Sequence, residues 1–387
     1  MGLIEDMMRS TCRLPGPTRP GASVHCALLR VTFSQSTAQT YGYDNMDTPG
    51  DVTDDHVSVK IKATTYIHVK IDGGTSTDVE FVCDNTSVAQ PGAAPAGAEF
   101  DLPVNGQDPG ATVLHARQKT SHTECTSINI NTYKEKQVTA AVMKVYDSRT
   151  TGTNLRFPHL DVSSIPTLIN PKYKDAVAVL SLTDQSSGGG AFDIPYDNDR
   201  NGKLTWDIAA NGGSEYNAIT SQFTVAGQKV IIVRDMVSVY FLAAAAAKDA
   251  TSITINSSDS FLTVGQSYPL GTGTTRETVT IQSKSGSTLT LAGKLSNNHS
   301  NGETLEFPAG GWGGNPIVII EGTLAEDILK WTFGHELGHA VLGLADVSAT
   351  ESIMNYSQGW TDHRLRYKPL PKKYKAGTEN QWETISR

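Results

Sequence analysis

The five residues His335-Glu336-Leu337-Gly338-His339 constrain this chain more than any other stretch. Side chains four apart in an α-helix stand one above the other, so both imidazoles reach a single metal ion if this segment is helical. Glu336 follows the first imidazole and can lean over an open coordination position, where it would take a proton from water. The flanking residues support a helix. Ile328, Leu329, Trp331, Thr332, Leu337, Ala340, Val341 and Leu344 fall at roughly helical spacing. Thr323 with Glu326 three residues on makes a capping box, and Gly343 is a natural stop. Residues 316–321 (PIVIIE) read as a buried strand, so the helix is expected to pack on a sheet.

Composition removes several classes of function. The formal net charge is −8, and no basic run is long enough to track a phosphate backbone, which argues against a nucleic-acid partner. The most apolar run, 237–247 (VSVYFLAAAAA), is far short of the ~20 residues a helix needs to cross a bilayer. The opening MGLIEDMMRSTCRLPG lacks the basic start and apolar core of a secretory signal, so a cytoplasmic protein, or one exported by another route, is expected. Cys12, Cys26, Cys83 and Cys125 match no Cys-x-x-Cys zinc pattern and read either as disulfide partners or as buried thiols. Their confinement to the first third marks a boundary and leaves no thiolate to ligate a metal near His335.

Residues 1–135 read as a β-rich module. The stretch 57–71 (VSVKIKATTYIHVKI) alternates apolar and polar residues, 79–83 continues the pattern, and 91–98 (PGAAPAGA) is a loop. His25, His56, His68, His115 and His122 show no ligand spacing, and the module is expected to bind, dock or be carried. From 136 the pattern changes. A strand at 136–146, a Pro-interrupted helix and an apolar run within 164–182, a helix at 214–223, a strand at 229–234 and a helix at 237–248 predict an α+β core. Residues 251–307 carry short strands broken by Gly, Ser and Asn turns, and read as a small β module inserted into the domain 136–387. It serves either as structure or as a platform for substrate or partner. The hexapeptide Asp197-Asn198-Asp199-Arg200-Asn201-Gly202 is either an Asx/Gly turn or the opening of a Ca2+ loop, with Ile208 where such a loop carries its bidentate acid.

Two imidazoles late on a helix packed against a sheet are placed as in a zincin. Catalytic zinc sites take three protein ligands and leave one position to water. Residues 343–356 (GLADVSATESIMNY) resemble the end of a metzincin active site, HExxHxxGxxH (or Asp) followed by a Met-turn. Ser352-Ile353-Met354-Asn355-Tyr356 matches the Met-turn, whereas Gly343 and Asp346 each come one residue late. Residues 136–387, through WTFGHELGHAVLGLADV, SIMNY and the terminal TDHRLRYKPLPKKYKAGTENQWETISR, resemble the zinc-metallopeptidase toxin domain of spike-associated effectors of bacterial type VI secretion.

That resemblance implies a Zn2+ cofactor held by His335, His339 and Glu383, with Asp346 and His363 as alternative third ligands. If Glu383 ligates, Asp346 would orient one of the imidazoles from outside. The metzincin resemblance makes Tyr356 a candidate donor to the oxyanion, and a similarity to thermolysin-like enzymes offers His363; otherwise the two are a half-buried packing residue and a surface residue. Met354 would form an apolar floor. Arg364, Arg366, Lys368, Lys372, Lys373 and Lys375 form either a solvated basic face or an attraction for an acidic inhibitor or anionic substrate.

The expected function is therefore a zinc-dependent peptidase acting on a protein or a cell-wall peptide. The effector resemblance implies delivery without a cleavable signal into the periplasm of a neighbouring cell, with a spike component as carrier and an immunity protein as inhibitor. The competing expectation is a non-catalytic spike-tip or adhesion component, whose zinc is structural and closed by His335, His339, Asp346 and Glu383.

Overall fold

The alternating stretch predicted at 57–71 forms β structure, but as two strands in two different sheets. A computed structural model describes residues 29–47, 53–149, 158–186, 191–198, 203–258, 262–307, 311–312, 315–322, 325–355, 363–373 and 376–386. In it His56–Lys60 and Thr64–Asp72 are separated by a turn at Lys62, whose φ is 59°. Thr64–Asp72 pairs antiparallel with Arg30–Gln35 on one side and Glu99–Gly106 on the other. His56–Lys60 runs parallel to Glu124–Tyr133 in the second sheet, which continues through Gly110–Gln118 to Val79–Cys83. Every second residue points inward, so Val57, Val59, Ile67, Val69, Leu102, Leu114, Ile128 and Ile130 meet in one apolar core between the sheets. Cys83 and Cys125 are thiols here, and burial pushes the Cys83 group up to about 12.

The second region is built on parallel strands. Ala178–Asp184, Lys136–Tyr146, Gln228–Val233 and Ile317–Ile320 lie side by side, with Gly311–Trp312 antiparallel at the edge. Strands covered on both faces read as continuous apolar runs, and IVII at 317–320 is wholly buried. Alternate residues of Gln228–Val233 feed two cores. Val230 and Ile232 face helices α1 (Ile165–Tyr173) and α3 (Glu326–Ala340), whereas Ile231 and Val233 join Trp206 of the strand Leu204–Asp207 and Ile219 of α2 (Gly213–Gln222). The chain ends with α4 (Gln381–Ser386), which buries Trp382.

The expected α+β fold class is corrected to mostly β. Strands make up 43% of the described residues and helices 16%, so sheets dominate and the few helices cover one of them. Part of the error lies at 237–248, predicted as a helix. Met236–Phe241 is a strand, parallel to Leu204–Asp207 and antiparallel to Thr304–Phe307. Its β-branched and aromatic residues suit a buried strand, and the following alanines are kept out of a helix by Ala243 N–H on Thr254 O and by a reciprocal backbone pair between Ala246 and His299. Residues 251–307 form short strands as predicted, and their sheet continues through Thr304–Phe307 onto Met236–Phe241 and Leu204–Asp207.

Candidate metal centre

Helix α3 brings the first two candidate ligands together, and its sequence shows why it packs where it does. Leu329, Phe333 and Leu337 bury one face in the core over the parallel sheet. Gly334 and Gly338, also four apart, leave that face low. A Cβ at Gly334 would lie 2.7 Å from Ile169 and 2.9 Å from Ile353, and one at Gly338 would overlap the Met354 sulfur. Tyr173 of α1 donates its hydroxyl to Gly334 O at 2.6 Å, fixing α1 against the same turn. The predicted capping box is corrected. The cap residue is Ala325, which makes no side-chain bond, and Glu326 pairs instead with Lys330 at 2.7 Å; Thr323 lies outside the described residues.

The helix ends at Ala340, and Gly343 turns the chain back in the left-handed region, with φ 71°. Leu344 N–H returns to Gly338 O at 3.0 Å, and His339 Nδ1 donates to Leu344 O at 2.8 Å. This turn absorbs the residue by which Asp346 is late. Across the helix, His335 Nδ1 donates to Ile353 O at 2.9 Å, so the predicted Met-turn sits beside the motif with Met354 fully buried.

With both Nδ1 atoms committed to carbonyls, the Nε2 atoms point at each other, 3.1 Å apart, and the rings stand nearly perpendicular at 89°. Asp346 Oδ1 lies 3.3 Å from His335 Nε2 and 3.4 Å from His339 Nε2. His335, His339 and Asp346 form the one group of this kind among the described residues. Two neutral imidazoles that donate through Nδ1 present lone pairs at Nε2, so this triangle gathers two lone pairs and a carboxylate around one point. Such a set repels itself unless a cation lies between, and two imidazoles with one carboxylate suit zinc. His335 is 7% exposed, while the side chains of His339 and Asp346 keep 25% and 22%, so solvent reaches the triangle at His339 and Asp346 and not at His335.

Electrostatics follow from this packing. Burial would raise the Asp346 carboxyl, but the two imidazoles beside it outweigh that and hold the group well below the usual range. Burial would lower His339, whereas Asp346 and the Leu344 carbonyl raise it. Half-buried Glu336, between the two imidazoles in sequence, is pushed up by burial despite their opposing pull.

The other expected site residues lie elsewhere. Glu383, expected as the third ligand, does not join the triangle: its Oε1 accepts the Tyr133 hydroxyl at 2.9 Å, at the end of the strand Glu124–Tyr133. The reason is that α4 turns this carboxylate toward the N-terminal module. His363 stacks on Trp331, centroids 3.7 Å apart, one helical turn before His335, with φ 61°. Tyr356 lies outside the described residues, as do Asp199–Gly202 of the expected calcium loop. Of that loop, buried Asp197 donates its N–H to Asp147 Oδ2 at 2.9 Å, and Asn198 N–H is taken by Glu215 at 2.8 Å.

The expected basic face is corrected at Arg366, which is 3% exposed and paired with Asp44, Asp47 and Glu351. Sequence reasoning missed Asp44 and Gln381 altogether, because no local pattern marks residues whose partners are hundreds of positions away.

No family model matches the chain, and no curated protein matches it. Among solved structures, the S-layer protein SbsC, domains 4 and 5, aligns with 23% identity over 20% of this chain and 46% of its own, at a TM-score of 0.17. The Gp54 tailspike of Acinetobacter baumannii bacteriophage AP22, in complex with capsular saccharide, aligns with 15% identity over 29% of this chain and 26% of its own, at 0.15. SbsC domains 5-6 align with 12% identity over 68% of this chain and 93% of their own, at 0.19. The chain thus spans less than half of the first two structures, and superpositions this poor assign neither fold nor function.

Proposed function

We propose that the chain is a zinc-dependent peptidase. The observation that carries this reading is the triangle of His335 Nε2, His339 Nε2 and Asp346 Oδ1, each imidazole locked by a backbone carbonyl. His335, His339 and Asp346 would hold the ion, with Asp346 in the place that the effector resemblance implied for Glu383. A bound zinc ion supplies Lewis acidity toward a peptide carbonyl and acidifies water. Glu336, next to His335 on the helix, is the group that takes a proton from the attacking water and returns it to the leaving amine. His363, held by Trp331 one turn upstream, and Tyr356 are the candidate donors to the developing oxyanion.

Glu383 is engaged by Tyr133, so among the described residues a four-ligand closed site lacks its fourth member. That favours the enzyme over a binding protein with a structural ion. Delivery by a contractile apparatus to act on periplasmic proteins or cell-wall peptides belongs to the same proposal and rests on the sequence resemblance alone.

The test pairs metal analysis with cleavage assays on wild type and Glu336→Gln. The expected outcome is about one zinc per chain in both proteins, with cleavage lowered roughly 10²- to 10⁴-fold in the variant. A wild-type chain that binds no zinc, or a variant that cleaves normally, overturns the reading.

A further inference from the structure

Asp44 ends the two-residue strand Tyr43–Asp44 of the N-terminal module, yet its carboxylate is engaged chiefly by residues 366–368. Its side chain is 1% exposed. It accepts Arg366 Nη2 at 2.8 Å and Nε at 3.0 Å, the backbone N–H groups of Tyr367 and Lys368 at 2.8 and 2.9 Å, and that of Met46 at 3.0 Å. A bidentate guanidinium–carboxylate pair with two further backbone donors holds a chain segment in one place. Tyr367 is also clamped from the same module by His56, stacked at 3.7 Å.

The held segment runs beside the turn that orients the first imidazole. Arg366 N–H donates to Gln381 Oε1 at 2.9 Å, and Gln381 Nε2 donates to Ser352 Oγ, also at 2.9 Å. Ser352 Oγ accepts Met354 N–H at 3.1 Å. Two residues before Arg366, Arg364 O accepts Ile353 N–H at 3.2 Å, while Arg364 N–H goes to Glu351 O at 2.7 Å. Arg366 Nη1 reaches the Glu351 side chain at 3.3 Å. Ser352, Ile353, Met354 and Gln381 are all fully buried, so the network is not relaxed by solvent. It ends on the Ile353 carbonyl that accepts His335 Nδ1.

We propose that Asp44 is a positioning residue for the metal centre: by gripping Arg366 it fixes segment 364–368 against the turn whose Ile353 carbonyl aims His335. The N-terminal module is then part of the site's support and not a detachable carrier. This inference rests on the zinc reading above. Outer partners of an imidazole ligand set its tautomer and ring direction, and their loss weakens metal binding without removing a ligand.

The experiment measures zinc dissociation constants on the full chain by competition with a chromophoric chelator, together with apo-state melting. Asp44→Asn is expected to weaken zinc binding about tenfold or more while the apo protein stays folded at the assay temperature. A purely structural role lowers the apo melting temperature but leaves the constant of the folded protein unchanged, and that result overturns the inference. Should Asp44→Asn fail to fold, the double variant Asp44→Asn/Arg366→Gln, which strands no buried charge, carries the same comparison. A wild-type constant in the double variant, or its failure to fold, assigns the pair to the scaffold and overturns the positioning role. A wild-type chain without zinc affinity is a separate result, which sinks the zinc reading first and this inference with it.

Discussion

His299 offers a direct test of how a buried charge holds the module 251–307. Its side chain is 0% exposed, and both ring nitrogens face carboxylates, Nδ1 to Glu303 at 2.7 Å and Nε2 to Glu277 at 2.9 Å. Two acceptors on two ring nitrogens require both to carry protons, so the native form is the imidazolium. Burial alone would lower its pKa, but the two carboxylates outweigh that and raise it above 6.5. Glu277 also accepts the Ser296 and Asn297 N–H groups, and Glu303 that of Ser300.

Breaking a buried ion pair from one side costs about 3–5 kcal/mol. Here the backbone donors still satisfy each carboxylate in part, so His299→Gln should cost about 2–4 kcal/mol of local stability. The assay is amide exchange of the reciprocal Ala246–His299 backbone pair, bonded at 2.9 and 2.8 Å. Protection should fall roughly 30- to 1,000-fold in the variant.

The pH dependence has a defined sign. A raised imidazole pKa gives stability that is complete below 6.5 and lost as pH rises through the folded value. Glu277 and Glu303 are held below 4.5, so their share is complete above that value and lost as pH falls. Wild-type protection should therefore peak between the two and converge on the variant's at high pH. A wild-type-minus-variant difference that stays constant from about pH 6 to about pH 9 would refute the reasoning.

Two further outcomes test the centre itself. Gly338→Ala places a methyl group on the buried Met354 sulfur, costing about 1–3 kcal/mol in overpacking, against at most about 1 kcal/mol gained in helix propensity. Calorimetry should show a lower melting temperature, and a more stable variant would mean that Met354 simply moves aside. Asp346→Asn should weaken zinc binding by at least tenfold, while Glu383→Gln leaves it within about twofold. Chelator competition that ranks the two in reverse would restore Glu383 as the ligand.

Some of this was legible in the chain because it is local. The pair His335 and His339 declares itself through a four-residue spacing, and the apolar run 316–321 appears as the strand Ile317–Ile320 on which α3 packs. The helix expected at 214–223 is α2, Gly213–Gln222. Local pattern failed where packing chose between two acceptable conformations. VSVYFLAAAAA satisfies a helical reading, yet strands on both sides of Met236–Phe241 satisfy its backbone and bury its β-branched residues, so it is extended.

Spacing along a helix is set by backbone geometry within one turn, so the sequence by itself determined which two imidazoles meet and that Glu336 accompanies them. The third corner of the triangle, an oxygen, depends on how a chain returns after its helix ends. A single left-handed glycine at 343 brings Asp346 back to both rings, while α4 carries Glu383 to Tyr133. Likewise Arg366 reads as one more surface cation until the fold places Asp44, 322 residues away, against it. Only tertiary structure decided these, because hydrogen bonds and ion pairs between distant segments leave no periodicity in the sequence.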